Sequence, residues 1–133
     1  MRLALHINGT DAPLAIPSAK SAPLTIASDV WAVWPADMDL FEKDAATANA
    51  ALVYATAQLV ARVRTSATAE VLFLLETQGT ALELAFTNGA AMKPEPGKAN
   101  VTIEDGHAVF RGVAAGTEAF TVVSNCDLPL RMV

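Results

Sequence analysis

A chain of 133 residues with 53% hydrophobic and 17% charged side chains has one domain's length and is too apolar for disorder. Nine Lys and Arg against fourteen Asp and Glu leave a formal charge of −5, which excludes the cationic surplus that nucleic acid or an anionic membrane requires. A single cysteine, Cys126, excludes an intramolecular disulfide; with only His6 and His107 beside it no zinc motif forms, and no cofactor is expected.

The N-terminus starts like a signal peptide, but His6 and Asn8 interrupt its apolar run, which ends at Gly9. No stretch is long enough for a transmembrane helix. The expectation is therefore a chain made in the cytoplasm without a signal peptide. Strands are predicted over 2–7, 14–17, 23–27 and 30–34. Trp31 and Trp34 fall in the last of these. A regular strand sends them to opposite faces, one for the core and one for a contact. Asp37, Asp39, Glu42 and Asp44 follow as an acidic cluster. It lacks the glycine and distal glutamate of an EF-hand loop and reads as a solvated loop or helix start.

Residues 51–65 fit two templates. As a strand, Val53, Ala55, Ala57, Leu59, Ala61 and Val63 share a face. As a helix, Leu52, Leu59, Val60 and Val63 form a stripe with Asp44 as cap. Alanine favours the helix and the β-branched residues the strand. The reading adopted is a helix or loop near 40–50 and then a long strand.

Two hairpins follow. The first spans 71–86 around Gln78-Gly79, with Thr77 facing Thr80, Leu75 facing Leu82, Phe73 facing Leu84 and Val71 facing Phe86. The second spans 100–113 around Asp105-Gly106. It places Val101, Ile103, Ala108 and Phe110 on a core face and Asn100, Thr102, Glu104, His107 and Arg111, with Val109, on a face toward water. His107 opposite Glu104 reads as a surface pair. A solvated loop at 93–98, a turn at 112–116 and strands at 118–124 and 128–133 complete the chain. Many strands with short turns indicate one domain over 1–133 that is mainly β, an antiparallel β-sandwich or jelly-roll.

Chemistry is sparse. Ser18, Ser21, Ser28, Ser66 and Ser124 stand in no Gly-x-Ser-x-Gly elbow. Cys126 with His107 would make a thiol–imidazole pair, but nothing beside Cys126 depresses its pKa, and it reads as a small apolar residue. The expectation is a protein that is not an enzyme.

The run from Asp105-Gly106 through Gly116-Thr117 to Phe120-Thr121-Val122 resembles the closing strands of bacterial immunoglobulin-like and Cna-B-like modules. Glu118-Ala119-Phe120 stands where those modules often carry a tyrosine. Separately, Ala61-Arg62-Val63-Arg64 followed by Val71-Leu72-Phe73-Leu74-Leu75 is similar to β-sandwich modules of phage tail and baseplate accessory proteins. These resemblances imply architecture first. Beyond it they imply a phage virion component, a head-decoration or tail accessory protein synthesised in the host cytoplasm, that contacts copies of itself or other virion proteins. The interface candidates are Trp31, Trp34 and Tyr54, with the N-terminal segment. The alternative is a carbohydrate-binding module in which those aromatics stack on sugar and Asp37 and Asp39 bind hydroxyls.

Overall fold

The computed structural model describes residues 1–7, 11–40, 51–66, 69–87, 100–111, 120–123 and 129–132. The expected helix or loop at 40–50, apart from Leu40, lies outside them, as do the 93–98 loop, the 112–116 turn, Glu42, Asp44 and Cys126. Among the described residues the chain is strand and turn without helix. The strands are β1 (Leu3–Leu5), β2 (Leu14–Ile16), β3 (Ala36–Asp39), β4 (Ala51–Ala55), β5 (Ala57–Ser66), β6 (Ala69–Glu76), β7 (Glu83–Phe86), β8 (Asn100–Glu104), β9 (His107–Arg111), β10 (Phe120–Val123) and β11 (Pro129–Met132).

They form a mainly β sandwich. One sheet has the order β3-β4-β7-β9-β8 and is antiparallel throughout. The second has the order β10-β11-β6-β5, in which β11 runs parallel to β6 and the other pairs are antiparallel. A small β1-β2 sheet stands apart. The core between the two large sheets contains Leu52, Ala55, Leu84, Phe86, Ala108 and Phe110 from the first and Leu72 from the second, with Leu59 and Leu74 packed against them. Phe86 and Phe110 meet edge to face, 5.5 Å between ring centroids. A second cluster lies on the other face of the five-stranded sheet. There Ile16 and Leu24 cover Val53, Tyr54, Ala85 and Val109. That sheet is thus covered on both faces, which is why all four residues of β7 are buried.

Residues 51–66 are extended, as the strand template expects, but they form two strands in two sheets. The chain changes sheet at Thr56, which is fully buried. Its amide donates to the carbonyl of Glu83 (2.9 Å), and its hydroxyl donates to that of Ala81 (2.8 Å) and accepts from the Glu83 amide (2.7 Å). The hydroxyl replaces the ladder bonds lost at the corner. One register shift, between Leu52 and Tyr54, turns Val53 and Tyr54 together onto the outer face.

The hairpin expected over 71–86 does not form. Its turn survives, with the Thr80 amide bonded to the Thr77 carbonyl (2.9 Å) and Gly79 at φ 77°. Its arms go to different sheets: β6 pairs with β5 (Ala61 opposite Phe73, Val63 opposite Val71), and β7 lies between β4 and β9. The predicted pairing fails because five consecutive apolar residues, Val71 to Leu75, leave β6 without a polar face. Period two then cannot say which side is the core, and the neighbouring ten-residue β5 offers a longer ladder. Leu72 is buried, whereas Phe73 and Leu75, expected opposite Leu84 and Leu82, are 40% and 58% exposed.

The second hairpin forms with its predicted register, from Glu104 opposite His107 to Asn100 opposite Arg111. Asp105 (φ 50°) and Gly106 (φ 80°) are both left-handed, as a type I′ turn requires. A Cβ on Gly106 would meet nothing within 4 Å. Gly106→Ala should therefore cost about 1 kcal/mol from backbone conformation alone. Urea unfolding measures this; a loss of several kcal/mol would show that the methyl is sterically excluded.

Three expectations need correction. The polar face of this hairpin meets water only in part: Asn100 and Thr102 are exposed, but Glu104 and Val109 are 8% and 3% exposed, because the N-terminal segment covers them. Ile103, expected on the core face, is 53% exposed. The strands expected at 23–27 and 30–34 are absent, and the strand of that region is β3. Backbone groups there bond outside any ladder. Leu24 and Met1 exchange two 2.8 Å bonds, the Thr25 carbonyl accepts from Thr80 Oγ1 (2.9 Å), and Val30 closes a turn on Ala27.

Candidate functional site

The outer face of the β5–β6 pair is open and mostly apolar, with the exposed Gln58 opposite Leu75. Val60 (62%), Val63 (46%), Phe73 (40%) and Leu75 (58%) are exposed there, with Ala61 opposite Phe73. Arg62 and Arg64 do not interrupt this face. They stand opposite Leu72 and Glu70, on the alternate side, and Arg62 reaches across to the carbonyl of Asp39 on β3.

The three candidate aromatics are not gathered into one platform. Trp31 is 95% exposed. Trp34 is half-buried against the cluster that includes Ile16 and Leu24, and its Nε1 donates to Thr77 Oγ1 (2.9 Å), just past the end of β6. Tyr54 is buried under the N-terminal segment, its hydroxyl donating to Glu83. The bulge in β4 is what takes Tyr54 out of reach of any surface ligand. Asp37 (φ 50°) and Asp39 are exposed on β3. Among the described residues no three His, Cys, Asp or Glu side chains gather to hold a metal.

Sequence reasoning missed a buried polar cluster beneath the N-terminal segment. Glu83 on β7 stands opposite Arg111 on β9, and Glu104 on β8 shares their face. Arg111 Nε lies 3.1 Å from Glu83, and its Nη1 lies 2.8 Å from Glu104. Glu83 also accepts from the Ser18 amide (2.7 Å) and from the Ser21 and Tyr54 hydroxyls. Glu104 also accepts from the Ser18 hydroxyl and from Thr102 (2.7 Å). Burial alone would raise the Glu104 pKa, but the hydrogen bonds from Arg111, Ser18 and Thr102 outweigh it and hold the carboxyl down at about 2. Burial, reinforced by the Glu83 carboxylate, pushes the Tyr54 hydroxyl far above the usual tyrosine range. The bond to Glu104 raises Arg111 further.

With every oxygen of Glu83 and Glu104 engaged, the cluster clamps Ser18 and Ser21 to the sheet rather than poising a base. The surface pair expected between Glu104 and His107 is therefore replaced. The two remain cross-strand neighbours, but the Glu104 carboxylate turns to Ser18, Thr102 and Arg111. The Nδ1 of His107 is buried without a partner.

Two clefts flank the clamp. One, of about 240 Å³, is bounded by Leu14, Ser18, Asp105 and His107. The other, of about 310 Å³, is bounded by Ala22, Pro23, Leu24, Gly79, Leu82 and Arg111. No protein-family model matches the chain, and no curated protein is significantly similar to it.

Proposed function

We propose that the chain is a non-enzymatic interaction module, a virion accessory protein of the head-decoration or tail-accessory kind, that works by burying the outer face of β5–β6 against other protein. One observation carries this reading: Val63, Phe73 and Leu75 share an open face of a sheet whose other face already serves the core, with Val60 exposed at the register shift beside them. Among the described residues no contact buries them, and each would be better solvated as a polar residue. The placement in a virion rests on the strand-and-turn resemblance of 54–86 to phage tail modules.

The size of the face suits a repeating partner. Two strands of about eight residues cover on the order of 250 Å², and burying that area releases at most about 6 kcal/mol. Association itself costs about as much. One such contact is weak, whereas many copies on a repeating shell, each adding rim contacts, accumulate.

Light scattering over about 10 µM to 1 mM, with and without sulfate to strengthen apolar association, tests the face. The wild type should grow in mass with concentration and sulfate. Phe73→Ser/Leu75→Ser should stop that growth while losing about 1 kcal/mol of stability, because both side chains are already largely solvated. Equal growth in the variant would remove the face from the interaction. The virion placement is tested by purifying particles and asking whether the chain is present at a fixed ratio to the major shell protein.

A further inference from the structure

Residues 1–7 and 11–24 form a unit bonded mainly to itself. β1 and β2 pair with one another, outside both large sheets. The Arg2 guanidinium donates to the Ser21 carbonyl (2.6 Å), and Leu24 and Met1 exchange backbone bonds. The fastening of this unit to the sandwich is of another kind. Among the described residues, every hydrogen bond from 11–25 to the sandwich runs through a side chain. The Ser18 amide and the Ser21 hydroxyl donate to Glu83, the Ser18 hydroxyl donates to Glu104, Arg111 donates to Ser21, and Thr80 donates to the Thr25 carbonyl.

Packing adds little to this fastening. The buried apolar side chains of the unit are Ile16, Pro17 and Leu24. Both clefts beside the clamp lie between the unit and the sandwich. The smaller is lined by Leu14 and Ala19 of the unit and by Ala85 and Val109 of the sheet. The larger is lined by Ser21 and Leu24 of the unit and by Glu83 and Arg111 of the sheet. Close packing between the two layers is therefore interrupted where the clamp engages. The sheet beneath is built differently: β7 is buried along its length and laddered on both sides. Beyond Thr25 the chain leaves the unit through Ala27, Ser28 and Asp29, which are exposed and in no strand, and Trp34, bonded to Thr77, holds the far end in place.

An element with its own bonds, few buried apolar side chains and a fastening of side-chain hydrogen bonds opens at less cost than the ladders it covers. We propose that the N-terminal segment up to Leu24 is a strap that swings off the five-stranded sheet as one unit while both large sheets stay folded, released at the Ser18 and Ser21 clamp and hinged over 26–33. Opening brings Tyr54, Val109 and the Glu83–Arg111–Glu104 cluster into contact with water. The inference is separate from the open-face reading, because the strap covers the other sheet.

Amide hydrogen exchange under native conditions, in a series of urea concentrations below the unfolding transition, tests it. Off the sheet a two-stranded unit is marginal in water, so its amides exchange. The Ser18 and Leu24 amides should exchange at least about 100-fold faster than those of β7 and β9 and respond little to urea, whereas β7 and β9 should follow global unfolding. Gly106→Ala, at a turn outside the strap, should speed β7 and β9 about 5-fold and leave the strap unchanged. Ser18→Ala/Ser21→Ala should speed the strap amides at least about 10-fold. Nitration of Tyr54, the chain's only tyrosine, should keep pace with the strap amides in all three proteins. One common exchange rate and urea dependence for the strap and for β7 and β9 overturns the proposal, as does acceleration of both by Gly106→Ala, because the strap then opens only with the whole fold. Strap amides unmoved by the serine changes overturn it as well, because the clamp is then not the fastening.

Discussion

Replacing Arg111 by methionine should lower stability by about 3 kcal/mol, a fall in melting temperature of about 10 °C for a domain of this length. Among the described residues Arg111 is the sole cation of the buried cluster, bonded to Glu83 and Glu104, whose side chains are only 5% and 7% exposed. Without it two carboxylates face one another under the N-terminal segment with hydroxyls as their chief remaining donors. Most of the cost comes from those stranded charges, because methionine preserves much of the arginine's packing. Arg111→Met/Glu83→Gln/Glu104→Gln, which removes all three charges, should therefore be more stable than the single variant. Arg2, whose guanidinium bonds the Ser21 carbonyl at an exposed site, is the contrast: Arg2→Met should change stability by about 0.5 kcal/mol or less. Thermal unfolding of the four proteins decides the matter. If the triple variant is no better than the single one, the loss is one of packing and the charge argument fails.

The same residues show where the sequence is informative and where it is not. The β8–β9 hairpin is legible because Asp105-Gly106 specifies a turn with both central residues left-handed, and every cross-strand pair follows from that turn. The turn at Gln78-Gly79 is equally legible, but its consequence is not. A glycine fixes local backbone conformation, whereas the destination of each arm depends on which other strands compete for it. β6, apolar on both faces, accepts more than one partner. Tyr54 shows a second limit. Alternation along 51–55 assigns its face correctly only when no bulge intervenes, and the shift between Leu52 and Tyr54 has no local signature in the sequence.

The buried cluster had a signal, Glu104 and Arg111 on one face of a predicted hairpin. The alternation rule assigns that face to water, and only the N-terminal cover, packed across a long sequence separation, makes it an interior. Trp31 is the opposite case. The pattern offers one tryptophan for the core and one for contact; the structure half-buries Trp34 and exposes Trp31, without the regular strand that motivated the division.

The clamp also sets the acid limb of stability. The Glu104 carboxyl titrates at about 2 in the folded chain against an ordinary 4.5. Between those values the unfolded chain binds the proton and the folded chain does not, so stability rises with pH across the interval. The contribution is fully present above about pH 4.5 and is lost as pH falls through about 2. Its size is on the order of 3 kcal/mol. Glutamine at this position resembles the protonated carboxyl in shape and lacks its titration. Glu104→Gln should thus lose on the order of 3 kcal/mol at neutral pH and converge on the wild type as pH approaches 2. Other acids contribute alike to both proteins, so the difference between the two curves isolates this carboxyl. Urea unfolding at a series of pH values from about 2 to 7 measures that difference. A constant gap across the series would mean that Glu104 is not charged and clamped in the folded protein. A gap that closes on acidification, together with loss of the N-terminal cover's amide protection in the variant, would identify this carboxylate as the fastening that holds Ser18 and its segment over the sheet.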